Sequence, residues 1–300
     1  MKERPGATRT ELVPVGAATL WTQTSGQGRP LVLCHGGPGM SDNLEPLAQM
    51  VEDLVTVHRF DQRAGGRSTG VGEGQTVAGA VADLEALRAH WGHRRWLVGG
   101  HSWGATLALC YTLAHSDRVT GLLYLSGPGL DATAATRDRV RAARLARLTE
   151  AERARLSAAE HRLSDNGDDE DAAATVARLL WLTDFADRSS APDFTAEPLF
   201  AYPRNVEAAA ALNQDRVRWL ADPTLRRRLR KLAIPTLVLH GAHDPLPADG
   251  TAELARLLPS ARLEILPGVG HTPWLEDAAM VRQALRRFIN ACRWDDGSSG

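Results

Sequence analysis

Three residues at three separated places have the types and surroundings needed to cleave an acyl bond. Gly100-His101-Ser102-Trp103-Gly104 fits G-x-S-x-G, whose glycines permit the sharp strand-to-helix turn that lifts a serine hydroxyl clear of a sheet. Serine is a poor nucleophile at neutral pH. A histidine must take its proton, and a carboxylate must hold that histidine's tautomer and balance its charge. Asp244 in Gly241-Ala242-His243-Asp244-Pro245 and His271 in Pro267-Gly268-Val269-Gly270-His271 are the candidates, in the chain order Ser, Asp, His. A tetrahedral intermediate also needs two aimed backbone donors for its oxyanion. Trp103, next after the serine, is expected to supply one. The other is expected from the glycine-rich turn His35-Gly36-Gly37-Pro38-Gly39, with Gly37 preferred and Gly36 the alternative, or otherwise a substrate-facing position.

The serine pattern occurs twice, the second copy being Gly66-Arg67-Ser68-Thr69-Gly70, so context must choose. Ser102 follows the apolar run Trp96-Leu97-Val98 and precedes Ala105, Leu107, Ala108 and Leu109 at helical positions, which is the required strand, turn and helix. Ser68 lies inside a glycine-rich loop and reads as an ordinary loop serine. His240 and His243 beside Asp244 form H-x-x-H, but neither cysteines nor a helical HExxH arrangement supports a metal, and they read as structural histidines. Asp249 is the weaker carboxylate candidate. It lies further past the strand, in the first turn of the next helix, where a carboxylate has a capping role.

The elements that must hold these groups follow from the apolar pattern. An antiparallel opening is expected over Glu11 to Thr24, and short apolar runs then recur at Leu31 to Cys34, Val55 to Phe60, Arg95 to Gly99 and Val119 to Ser126. Helical spacing lies between them: about Asn43 to Leu54, Val77 to Trp91 and Trp103 to His115. Strand pattern returns at Ile234 to His240 and Ala261 to Leu266, before a closing helix from about Glu276 to Cys292. Apolar strands alternating with helices indicate an α/β fold, with a mostly parallel sheet covered on both faces. Between the two core parts, 1–130 and 233–293, residues 131–232 are Ala/Arg-rich and helical, and are expected to form an inserted helical cap. Within them Thr149 with Glu152 three residues on reads as a capping box. Residues 294–300 read as a disordered tail.

Composition excludes several other functions. Thirty-five basic residues against 36 acidic ones give a net charge of −1, without the basic footprint of a nucleic-acid binder or a polybasic membrane protein. Cys34, Cys110 and Cys292 are far apart and lack C-x-x-C spacing, which suggests neither a disulfide framework nor a zinc ribbon. With no signal-peptide core and no long apolar run, the expected location is the cytoplasm. Basic charge is almost all arginine, Lys2 and Lys231 being the only lysines, and no function is read from that.

Taken together, HGGPG (35–39), DQRAGGRS (61–68), GGHSWGATLAL (99–109), GAHDPLP (241–247) and GVGHTPW (268–274) resemble the α/β-hydrolase superfamily, and within it the proline iminopeptidase branch. The resemblance covers roughly residues 10–130 and 233–292. It implies a helical cap over a pocket, no cofactor, a small-molecule or short-peptide substrate, and hydrolysis through an acyl-enzyme, often releasing an N-terminal amino acid. Aminopeptidases of that branch hold the substrate's free amine with cap glutamates, one beside a tryptophan and one in a segment resembling R-I-E-N. The nearest equivalents here, Trp181-Leu182 and Leu212-Asn213-Gln214-Asp215, put Leu182 and Asn213 where glutamates are expected. Trp181 and Asn213 are therefore the nearest substrate-binding positions, and Glu197, Glu207 and Asp215 are the carboxylates that could replace the missing charge. Without such a carboxylate, a carboxylic ester or lactone serves equally well as substrate.

Overall fold

Short apolar runs closed by glycine turns become the strands of one sheet. The computed structural model describes residues 6–70, 75–167 and 169–293, so the expected tail at 294–300 lies outside the described residues. The strands are β1 (Gly6–Val15), β2 (Ala18–Gly26), β3 (Arg29–Cys34), β4 (Val55–Phe60), β5 (Trp96–His101), β6 (Val119–Leu125), β7 (Thr236–Gly241) and β8 (Ala261–Leu266). They lie in the order β1-β2-β4-β3-β5-β6-β7-β8. The first two are antiparallel to each other and β2 is antiparallel to β4, while every pairing from β4 through β8 is parallel. Every residue of β5 and β6 is buried, as a parallel strand covered on both faces requires.

Helices α1 (Glu45–Gln49), α2 (Val77–His90) and α3 (Trp103–Ala114) alternate with the first strands. Between β6 and β7 the described residues form no strand. They form α4 (Ala134–Ala146), α5 (Glu150–Asp165), α6 (Glu170–Leu182), α7 (Val206–Leu220) and α8 (Leu225–Arg230), with short 3-10 turns linking α6 to α7. The chain closes with α9 (Ala248–Leu257), α10 (Pro273–Glu276) and α11 (Ala278–Ala291). One apolar cluster joins Leu84 and Leu87 of α2 to Leu107 and Tyr111 of α3; a second joins Leu47 to Leu285 and Ile289 of α11. Among the described residues no helix is long and apolar enough to cross a membrane.

One helix differs from the apolar pattern. The one expected over Asn43 to Leu54 is helical only in α1; Leu47 and Val51 are buried all the same, so the spacing reported burial rather than a continuous helix. The expected closing helix is α11, capped by Asp277 (φ −138°, ψ 80°), whose carboxylate accepts from Met280 N at 2.8 Å. Thr149 and Glu152 do form a capping box at the start of α5. No residue of α4 is fully buried. It is held by polar contacts instead: Arg144 donates to the Leu180 carbonyl at 3.0 Å, and Arg147 just beyond the helix donates to that of Thr183 at 2.6 Å.

Candidate active site

Ser102 stands at the junction of β5 and α3 with φ 55° and ψ −119°, a backbone state that costs a non-glycine residue roughly 1–3 kcal/mol. The surroundings enforce it. A Cβ at position 100 would lie 2.0 Å from the Gly104 carbonyl oxygen, and one at position 104 would lie 2.0 Å from that of Cys34. Only glycines let the end of β5, the start of α3 and the end of β3 come this close. Backbone bonds then continue the sheet past its strands: Ser102 N to Leu125 O at 2.9 Å, Ser126 N to Leu239 O at 2.7 Å, Ala242 N to Leu266 O at 2.8 Å and His243 N to Val269 O at 2.9 Å. The loops carrying Ser102, Asp244 and His271 are thereby registered against one another.

His271 Nδ1 donates to Asp244 Oδ2 at 2.9 Å, and both side chains are buried. That bond leaves Nε2 as the basic nitrogen. Burial alone would lower the His271 pKa, but the charge and hydrogen bond of Asp244 outweigh it and hold the imidazole above its ordinary value. Burial likewise opposes ionisation of Asp244, yet the charge and hydrogen bond of His271 keep its carboxyl below the usual range. Asp244 is further steadied by Leu246 N, which donates to Oδ1 at 2.8 Å.

A Cβ at position 36 would lie 3.0 Å from Ser102 Cβ, so Gly36 abuts the candidate nucleophile. Gly37 follows with φ 58°, and its carbonyl accepts from Met40 N at 2.9 Å. Gln62 locks this turn to α3. Its side-chain amide donates to His35 O at 2.8 Å while its Oε1 accepts from the Trp103 indole at 2.8 Å, and its backbone N donates to His35 Nε2 at 3.1 Å. One glutamine that the sequence reading had not singled out thus joins His35, at the head of the turn that carries Gly37, to the side chain of Trp103. Its presence in the DQR segment was the available signal.

Two more residues escaped the sequence reading. His101 Nε2 donates to His271 O at 2.8 Å, with its ring 4.7 Å from the His271 ring and 4.6 Å from Trp274. Burial drives its pKa down to about 3, so it is a neutral prop. Glu276 accepts from Gly270 N at 2.6 Å and from Ala186 N at 2.7 Å, and His271 N donates to Asp184 O at 2.6 Å. The histidine loop is therefore clipped to the chain beyond α6. Nothing local in the sequence marks Glu276, because its partners lie 6 and 90 residues away.

The other candidates separate clearly. Ser68 donates to Asp61 O at 2.6 Å and accepts from Trp21 N at 2.9 Å, the arrangement of a structural serine. His240 is buried and donates from Nε2 to Leu246 O at 3.0 Å. Asp249 lies in the first turn of α9 as expected, but it does not cap: its exposed carboxylate pairs with Arg139 at 2.7 Å. Trp181 is buried with ring centroids 4.8 Å from Phe185 and 5.5 Å from Phe200, and Asn213 is exposed on α7. Asp215 accepts from Val77 N at 2.8 Å at the start of α2, and Glu207 is exposed. Glu197 is half-buried, has no hydrogen-bond or ionic partner for its carboxylate among the described residues, and burial raises its pKa. The next residue's carbonyl, that of Pro198, accepts from Ser41 Oγ at 2.7 Å, which sets Glu197 beside the segment that follows the glycine turn.

Comparison with known proteins agrees with this architecture. Residues 29–278 match the α/β hydrolase fold family. A proline iminopeptidase from Xylella fastidiosa is 33% identical over 267 residues, covering 82% of this chain and 84% of that protein. Among solved structures, wild-type Cfl2 from Burkholderia cenocepacia superposes with a TM-score of 0.75 at 18% identity over 95% of this chain and 96% of its own. The proline iminopeptidase of Mycobacterium smegmatis gives 0.70 at 22% identity over 94% and 98%. With the fold matched over nearly its whole length and this identity to a proline iminopeptidase, the chain belongs to the α/β-hydrolase family, in its proline iminopeptidase branch.

Proposed function

We propose that the protein is a serine aminopeptidase that removes an N-terminal residue from a small peptide or an aminoacylated metabolite. Ser102 attacks the acyl carbon, His271 takes its proton and returns it to the leaving amine, and Asp244 holds the imidazole in its working tautomer. The amides of Gly37 and Trp103 receive the oxyanion. Water then releases the acyl group by the same steps, with no cofactor. Residues 131–232 act as the cap over the substrate. The observation that carries this reading is the buried His271–Asp244 pair at 2.9 Å, on loops stitched to the turn that holds Ser102 at φ 55°. Cys34, Cys110 and Cys292 are all buried and unbridged, which supports a reducing cytoplasmic location.

The substrate ammonium needs a carboxylate in a partly desolvated site. Glu197 is the one of the three carboxylates considered that is neither occupied elsewhere nor fully exposed. A second reading, an ester or lactone hydrolase, is favoured by Leu182 and the exposed Asn213 at positions where the branch has glutamates. Arylamine release from proline and alanine naphthylamides, measured beside their N-acetylated forms, separates the two. Free-amine substrates are expected to be cleaved faster, and Glu197→Gln should erase that preference by about tenfold or more. Equal rates, or cleavage of acetylated substrates alone, would overturn the aminopeptidase reading in favour of esters and blocked amides.

A further inference from the structure

A guanidinium removed from water calls for an anion beside it. Several buried or part-buried arginines here have one: Arg59 pairs with Asp42, Arg63 with Asp83, Arg67 with Asp61 and Arg144 with Asp184. Arg216 on α7 does not. Its Nη1 is buried with no hydrogen-bond partner, and no carboxylate lies within ion-pair distance of it among the described residues. The adjacent Asp215 is turned away to Val77 N. Desolvation lowers the Arg216 pKa, with the buried Tyr124 and Cys110 as its surroundings.

Arg216 lines a cavity of about 300 Å³ between the helices α4 to α7 and the loops that follow β6 and β7. Neither Ser102 nor His271 lines it. Of the other charged groups in its wall, Arg141 is engaged by Glu160 at 2.7 Å and Arg144 by Asp184 at 2.7 Å. Arg137 donates only to the Ala132 carbonyl, at 2.8 Å, among the contacts of described residues. Asp131, also in the wall, accepts from Thr133 N at 2.8 Å and Thr136 Oγ1 at 2.5 Å. The unmatched balance is two guanidiniums against one carboxylate, a surplus of one positive charge. The rest of the wall is largely apolar, from Val140, Leu145, Leu180 and Leu246.

We propose that this cavity binds a small monocarboxylate with an apolar body, its carboxylate held by Arg216 and Arg137 and its body lying on Val140, Leu145, Leu180 and Leu246. A volume of this size suits a small molecule. One surplus charge suits a monoanion better than a phosphate dianion, whose second charge the apolar wall would not solvate. The proposal stands apart from the reaction assigned to Ser102.

Calorimetric titration of hexanoate into the full-length protein is the test, with hexanamide and inorganic phosphate as comparison probes. Saturable hexanoate binding is expected, at least tenfold tighter than either comparison probe. Arg216→Met should abolish it while leaving the melting temperature unchanged or higher, because an unpartnered buried charge has been removed. The exposed Arg137→Gln, which leaves packing untouched, should weaken it several-fold and reads the site without disturbing a buried group. Hexanoate binding unaltered in Arg137→Gln, hexanamide binding as tightly as hexanoate, or phosphate binding as tightly as hexanoate would each overturn the proposal. So would a marked fall in the melting temperature of Arg216→Met, since it would reveal an internal partner.

Discussion

Ser68 and Ser102 sit in the same five-residue pattern and in opposite surroundings. Ser68 is satisfied on both sides: it donates to Asp61 O and accepts from Trp21 N, and so ties its loop to the start of the sheet. Ser102 has no such tie for its hydroxyl among the described contacts and occupies a positive-φ turn against Gly36, in the loop registry that also carries Asp244 and His271. Pattern therefore supplies the glycines, but the preceding strand and following helix decide whether the serine is presented or buried in hydrogen bonds.

The largest effect should come from Ser102→Ala, which is expected to lower kcat by roughly 10⁴-fold or more while leaving the melting curve in place. Naphthylamide turnover and calorimetric unfolding of the same preparation check both halves. Next, Asp244→Asn should cost roughly 10³- to 10⁴-fold in kcat, through the wrong imidazole tautomer. It also has a pH signature. The general base works only when neutral, so kcat/KM should rise with pH through a His271 pKa above the ordinary imidazole value. Without the Asp244 charge that limb should move to lower pH, and an unmoved limb would separate His271 from Asp244.

Glu276→Ala leaves the amides of Gly270 and Ala186 without their acceptor and should destabilise by about 1–3 kcal/mol, with kcat falling more than KM rises. Denaturant midpoints beside steady-state rates measure this; an unchanged kcat would mean the clip does not position His271. The mildest change is Ser68→Ala. It should lower stability by about 1 kcal/mol and leave kcat within about twofold, the reverse of the Ser102 result. If both serine variants behaved alike, the contrast between the two copies would collapse.

The sheet and the candidate triad were legible because each depends on local rules: short apolar runs, glycine at a tight turn, and a polar residue just past a strand end. β5 and β7 show this, each a buried run ending at its candidate residue's loop. The helical segment between β6 and β7 was legible as helix but not as contacts. No residue of α4 is fully buried, and its docking runs through Arg144 and Arg147 to main-chain carbonyls about 36 residues on. Gln62, His101 and Glu276 were missed for the same reason. Their effect lies in distant backbone partners, which residue spacing does not encode.

The most direct test is peptide mapping of the protein after reaction with a fluorophosphonate. A single adduct on the peptide carrying Ser102, absent in Ser102→Ala and retained in Ser68→Ala, is the expected result. No adduct, or one that persists in Ser102→Ala, would contradict the assignment of Ser102 as nucleophile.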